Sequence, residues 1–180
     1  ANLGMFSLRC WELGAKQIIA VEPNPHVYQG LLLNIMGYKN ITPVHRAVLA
    51  IDNQQVLIVN EHVGSKINSQ MGDPVSSISL ETLVADIEDN NMILKLDCEG
   101  SEFDIVLNSS NQLLRRFKSI HMELHANCNE NPQYHDPTLV RNKLIEAGFE
   151  QVWQNGIAMF NADHQVVGWL DIWVEKWIRK

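Results

Sequence analysis

The strongest constraint on this chain is an alternation. Short, almost wholly apolar runs alternate with segments that carry apolar residues every three or four positions. The runs are Gln17 to Val21 (QIIAV) and Met92 to Leu96 (MILKL), and Ser119 to Leu124 (SIHMEL) is a further core strand with polar residues at alternate positions. Strands apolar at nearly every position are covered on both faces, which is the pattern of a mostly parallel sheet flanked by helices. Two helix starts are marked by chemistry. Asn24-Pro25 and Asp136-Pro137 each place a capping side chain before a proline at the first helical position. The expected fold is therefore α/β.

The spacing predicts a helix over Leu3 to Leu13, with Leu3, Phe6, Cys10 and Leu13 on one face and Gly14 closing it. The helix after Asn24 sends Val27, Tyr28, Leu31, Leu32 and Ile35 to the core and stops at a left-handed Gly37. Ile41 to Val48 reads as one strand region, Val56 to Asn60 as an added strand, Glu61 to Pro74 as a long surface loop, and Val75 to Ile78 as a short strand. Ser79 would cap a helix carrying Leu80, Leu83, Val84 and Ile87. Helices over Glu102 to Leu107 and Gln112 to Phe117 follow. A polar loop runs from His125 to His135, and closing strands are expected near Phe149 to Trp153, Ile157 to Phe160 and Val166 to Trp169. Trp169, Trp173 and Trp177 are four apart, which suggests a helical face. Strand alternation through Leu170 to Val174 is nearly as compatible.

Composition bounds the function. The 180 residues show no repeat or linker and fit one domain, residues 1–180. Asp and Glu number 21 against 14 Lys and Arg, a net charge of -7, so a broad phosphate-binding surface and a nucleic-acid partner are not expected. No apolar run nears the roughly 20 residues of a membrane span, and no secretory signal opens the chain, so no membrane association is expected. Cys10, Cys98 and Cys128 form no CxxC pair and fit free thiols in a reducing, cytoplasmic setting.

Ligands of open α/β sheets sit beyond the carboxyl ends of the strands, and polar clusters fall there. Ala1-Asn2-Leu3-Gly4 is a small-residue turn at a helix start, weak as a cofactor signal by itself. Glu22 ends the QIIAV strand 18 residues after Gly4, where a carboxylate typically accepts hydrogen bonds from ribose hydroxyls. A solvated strand-end carboxylate is the bland reading. Asp97-Cys98-Glu99-Gly100-Ser101-Glu102 puts three carboxylates within six residues, which repel unless a cationic or hydrogen-bonding partner is present. Candidate partners are a metal, a sulfonium ligand or an amine, and a general-base role is also open. Alternatively Glu102 merely favours a helix start. His121, Glu123 and His125 alternate along one strand face and could converge on a metal. Most of that set reads as structural, no metal is expected, and His125 is the candidate for a substrate or base role.

These clusters, in this order, resemble the FkbM-type S-adenosylmethionine-dependent methyltransferases. The motifs are Ala1-Asn2-Leu3-Gly4, Glu22-Pro23-Asn24-Pro25, Asp97 through Glu102, and Glu123-Leu124-His125, with Ile78-Ser79-Leu80 also similar. The resemblance spans residues 1 to about 150. It implies a Rossmann-like class I methyltransferase sheet with helices on both faces. It also implies S-adenosylmethionine as cofactor and methyl transfer to a hydroxyl of a sugar or small natural product. On this resemblance Asn2 and Gly4 would lie against the methionine part of the cofactor. Glu22 would hold the ribose, with Pro23 and Asn24 beside the adenosine, and Ala47 and Val48 would border the adenine. Asp97 and Glu99 would sit between cofactor and acceptor, and Asp97, Glu99 and His125 are the candidate catalytic groups. The polar loop would contact the acceptor.

The family's first strand, and the Asp and Gly that open its glycine turn, are not in the chain, which begins inside that motif. The expectation is two strands without their usual neighbour, edges that invite a substitute segment or a partner chain such as a second copy, or else a gap that weakens cofactor binding. A truncated, non-catalytic binding module is the alternative function. A nicotinamide dehydrogenase would want a complete G-x-G-x-x-G, which is lacking.

Overall fold

The computed structural model describes all residues except 62, 63, 69, 127–135 and 161–165. Two compact units are resolved, Ala1–Ser79 and Leu80–Lys180.

The first unit runs α1 (Met5–Glu12), β1 (Ile18–Val21), α2 (Pro25–Asn34), β2 (Ile41–Val44), β3 (Ala47–Val48), β4 (Gln55–Glu61), β5 (Gly64–Asn68) and β6 (Asp73–Ile78). β1 and β2 are parallel, with Ile18 opposite Ile41 and Val21 opposite Val44. Ala20, Leu31, Ile35 and Ile41 form the core there, and Leu8, Ile18, Tyr28 and Tyr38 pack on it. Asn24 caps α2 as its sequence predicts. Its Oδ1 accepts the His26 and Val27 N–H groups, and Pro25 follows. Gly37 is left-handed.

Three expectations need correction here. The helix α1 forms, but Leu3, Phe6 and Leu13 are exposed, and the core is met through Leu8 and the buried Ser7. A stripe counted from Leu3 misses because Leu3 precedes the helix and lies on Gly30, where an added Cβ would stand 2.6 Å from Leu3 Cδ2. The Ile41 to Val48 region is two strands, broken between Val44 and Ala47, because β3 leaves the β1–β2 pair to run parallel with β6. The Glu61 to Pro74 segment is not simply a loop. β5 pairs antiparallel with β4, and β4 pairs antiparallel with β6, giving the order β3-β6-β4-β5. A hairpin arm reading Gly-Ser-Lys-Ile-Asn, with one apolar residue, lacks the apolar alternation that marks a strand. Backbone pairing alone makes it one.

The second unit runs α3 (Leu80–Leu83), β7 (Met92–Leu96), α4 (Ser101–Asn108), α5 (Asn111–Leu114), β8 (Phe117–His125), α6 (Pro137–Glu146), β9 (Phe149–Phe160) and β10 (Val166–Arg179). The sheet order is β7-β8-β10-β9, with β7 and β8 parallel and β10 antiparallel to both its neighbours. Phe103, Val106, Leu114, Ile120, Met122, Leu124, Val140 and Leu144 are almost wholly buried. The Ser79 helix is a single short turn, and Ser79 donates its N–H and its hydroxyl to the Asp52 carboxylate. Asp136 caps α6 by accepting the Thr138 N–H, which holds its carboxyl below the usual range.

The tryptophan segment is a strand, not a helix. β10 is hydrogen-bonded to β8 on one side and β9 on the other, and two ladders outweigh a four-residue aromatic spacing. Trp177 is buried, and its indole N–H donates to Oε2 of buried Glu175 at 2.9 Å. Arg141 of α6 donates to Oε1 of the same carboxylate at 2.7 Å. The Trp169 and Trp173 side chains lie outside the described residues, as do 127–135 of the polar loop. Among the described residues β1 pairs only with β2, and β7 only with β8, so each is a sheet edge.

Candidate active site

In the first unit the site residues are organised by Glu22. Its carboxylate is 6% exposed. Oε2 accepts the Asn2 N–H at 2.7 Å, and Oε1 accepts the Asn24 N–H at 3.0 Å. The Ala1 nitrogen donates to Val21 O at 2.6 Å. The turn is shaped by two left-handed residues, Asn2 (φ 53°) and Gly4 (φ 85°). Asn2 is a residue type that tolerates this region, and its Oδ1 accepts the Leu3 N–H at 2.7 Å. Gly4 is doubly required, since a Cβ would also stand 2.6 Å from Leu31 Cδ1. Asn24 is 1% exposed, and its Nδ2 is a buried donor without a partner. Such a group is costly to leave unpaired.

Asn2, Glu22 and Asn24 are thus brought together. Pro23 joins them through its carbonyl, which accepts a hydrogen bond from His45 Nε2 at 3.0 Å, so that nitrogen carries the proton. The His45 ring stacks on Tyr28 with centroids 4.8 Å apart. Ala47 instead lies in the core of the small sheet with Val56, Ile58 and Val75, and Val48 is half-buried in β3 opposite Ile78. His45 and Tyr28 were not legible as site neighbours. The only available signal was a histidine immediately after the strand that follows Glu22.

In the second unit β7 ends at Leu96, and a tight turn through Glu99 (φ 53°) and Gly100 (φ 106°) leads into α4. A left-handed glutamate is unfavourable, and Glu102 supports the turn. Glu102 has no exposed surface. Its Oε1 accepts the Cys98 N–H at 2.5 Å, and its Oε2 accepts the Gly100 N–H at 2.9 Å. Parallel pairing of β7 with β8 carries His125 to the same strand end. His125 is 4% exposed. Its Nδ1 lies 3.2 Å from Glu102 Oε1, and its Nε2 lies 3.6 Å from Glu99 Oε2. Burial alone would lower the His125 pKa. The Glu102 hydrogen bond and the charges of Glu102, Glu99 and Asp97 outweigh burial and raise it.

Asp97 is half-exposed and holds Lys95 Nζ at 2.9 Å, with Glu123 Oε1 4.0 Å from the same ammonium. Burial and the Asp97 charge raise the Glu123 pKa. Among the described residues Asp97, Glu123 and His125 have ligand-type atoms within 4.8 Å of one another. Lys95 already supplies positive charge at that place. His121, the first member of the alternating set, instead contacts Ser119 Oγ through Nε2 at 3.2 Å, and burial followed by Lys176 and Lys95 lowers its pKa. The Cys98 thiol is pushed well up, by burial first and then by Glu102.

The second unit therefore brings together Asp97, Glu99 and His125. It adds two residues that the motif reading did not single out as functional, Glu102 and Lys95. Lys95 was detectable in principle. It precedes Asp97 by two along a strand, which sets both on one face. The Glu102 role was not, because the contact with His125 spans 23 residues.

Comparison with solved structures returns methyltransferases. A protein assigned as an RNA methyltransferase, PH1948 from Pyrococcus horikoshii, matches 99% of this chain and 71% of its own length at TM-score 0.50 and 12% identity. A fibrillarin pre-rRNA processing protein from Methanococcus jannaschii matches 91% of this chain and 56% of its own length at TM-score 0.49 and 15% identity. TYW2 from M. jannaschii, in complex with AdoMet, matches 100% and 66% at TM-score 0.47 and 14% identity. At such identities the first of these speaks for the fold alone, a Rossmann-like class I methyltransferase fold. No curated protein matches the sequence. The family model of the methyltransferase FkbM domain matches residues 2–150, most of the chain. With the Glu22 turn, the Asp97 to Glu102 turn and His125 all inside that span, the chain belongs to the FkbM methyltransferase domain family.

Proposed function

We propose that this methyltransferase uses S-adenosylmethionine to methylate a hydroxyl oxygen of a sugar or small natural product. The observation that carries this reading is the convergence of Asp97, Glu99 and His125 at the carboxyl ends of the parallel strands β7 and β8. Residues 1–180 act in it as one methyltransferase domain.

The first unit fits a nucleoside ligand. Glu22 keeps lone pairs beyond the two backbone bonds it accepts, Asn24 Nδ2 is a buried donor in need of an acceptor, and the Asn2 to Gly4 turn lies beside them. Asn2, Gly4, Glu22, Pro23 and Asn24 would hold the cofactor, and Ala47, Val48 and Asp97 are its further expected contacts. When bound, S-adenosylmethionine would supply an activated methyl group, its carbon–sulfur bond breaking as the acceptor oxygen bonds to the methyl carbon and S-adenosylhomocysteine leaves.

The remaining work is orientation and proton removal. His125 Nε2 takes the acceptor's hydroxyl proton, and the imidazolium is stabilised by Glu102, Glu99 and Asp97. The carboxylates also favour a neutral or cationic acceptor over a phosphorylated one.

The test is calorimetric titration of S-adenosylhomocysteine into the chain, with Glu22→Ala as control, followed by transfer of labelled methyl to a panel of sugars and hydroxylated natural products. Micromolar binding lost in Glu22→Ala, with label in an ether-linked product, is the expected result. Label on nitrogen or carbon would replace the hydroxyl assignment. Absence of binding by a folded chain would defeat the cofactor assignment for this chain.

A further inference from the structure

Glu102 is the most completely buried carboxylate of the strand-end turn, and its geometry fixes the state of a neighbouring ring. Both Glu102 oxygens already accept a backbone N–H, so the carboxylate meets the ring as a hydrogen-bond acceptor. The His125 nitrogen 3.2 Å from Oε1 must then be the one that bears hydrogen. In a neutral imidazole this leaves the lone pair on Nε2, which points toward the Glu99 side of the turn, 3.6 Å from Oε2. Among the described residues, the acidic groups facing the ring include Glu102 on α4, Glu99 and Asp97 in the turn, and Glu123 two residues earlier on β8.

We infer that Glu102 is a positioning residue: by accepting the Nδ1–H of His125 it holds the imidazole as the Nδ1–H tautomer and presents Nε2 as the proton acceptor for the substrate hydroxyl. This rests on the base assignment made above for His125. Glu102 has no exposed surface with which to meet a substrate. It acts through the ring, and the same carboxylate oxygens lock the Cys98 to Gly100 turn that carries Glu99.

The experiment has two arms on the full chain. The first is two-bond 1H–15N correlation NMR of the histidine side chains at a pH where His125 is neutral, with His125→Gln identifying its signals. The Nδ1–H pattern is expected, and the Nε2–H pattern overturns the proposal whatever the activity. The second is a kinetic cycle with saturating methyl donor. Glu102→Gln should lower kcat on the order of tenfold, the scale at which an imidazole's outer hydrogen-bond partner acts, with the donor KM unchanged. The same substitution in the His125→Gln background should add almost nothing. Equal losses in both backgrounds would overturn the proposal, because Glu102 would then act by a route other than the ring.

If His125→Gln folds and keeps full kcat, the base assignment fails, and the NMR arm alone decides whether the carboxylate sets the tautomer. Circular dichroism and thermal unfolding establish which variants fold. Glu102→Asp, which withdraws the carboxylate by one methylene, replaces Glu102→Gln if the latter does not. The NMR arm on the unmodified chain needs no variant at position 102.

Discussion

Glu22 in the first unit and Glu102 in the second perform the same structural task in different company. Each is a buried carboxylate that accepts two backbone N–H groups from a tight turn. Each turn contains a non-glycine residue at φ 53°, Asn2 in one and Glu99 in the other, followed by a left-handed glycine at a helix start. The difference lies in the third partner. Glu102 also binds an imidazole, whereas the third group at Glu22 is the Ala1 nitrogen, 3.3 Å from Oε2. A buried carboxylate clamp is therefore a fold device in both places, and it becomes acid–base chemistry only where a titratable ring is added.

The comparison predicts unequal costs. Glu102→Leu leaves two backbone donors and the imidazole N–H unpaired and should destabilise by about 3–5 kcal/mol. Glu22→Leu strands two backbone donors and should cost about 1–3 kcal/mol. Urea unfolding of both variants checks this, and equal losses would mean that the imidazole adds nothing to the second clamp. On turnover, His125→Gln should lose roughly 100-fold at unchanged S-adenosylhomocysteine affinity, and Glu22→Ala should weaken that affinity. The reverse assignment of effects would exchange the roles of the two units.

Smaller effects sharpen the contrast. Asn24→Ala removes the α2 cap and should cost about 1 kcal/mol by urea unfolding. The pH dependence belongs to the second unit. The His125 pKa is raised on folding, so its stabilising contribution is complete below the unfolded imidazole value and is lost as pH rises through the folded one. Stability should fall across that window, and His125→Gln should flatten the slope. If His125 is the base, turnover rises with pH through the same folded value, so stability and activity move in opposite directions.

Much of the frame was legible in the sequence. QIIAV and MILKL form strands where expected, although the face of β7 that carries Ile93 stays open, with Ile93 65% exposed. Asn24-Pro25 and Asp136-Pro137 start helices because side-chain oxygen and fixed φ act within three residues. The motif order marked Glu22, Asp97, Glu99 and His125 before any contact was known. The β5 hairpin arm, the strand state of the tryptophan segment and the exposure of Phe6 and Leu13 were not legible. Each depends on which partner a segment meets, and pairing partners are not encoded in local periodicity.

The sequence by itself determined the family, the alternation of strands with capped helices, and the carboxylates placed at strand ends. These follow from residue type and short spacing. Tertiary structure alone decided that Glu102 serves as the clamp of its own turn and the partner of His125, and that Lys95 neutralises Asp97 while His121 turns to Ser119. The physical reason is reach. A cap or an apolar run acts over a few residues of chain, whereas a hydrogen bond between residues 23 apart exists only once two parallel strands have set their ends side by side.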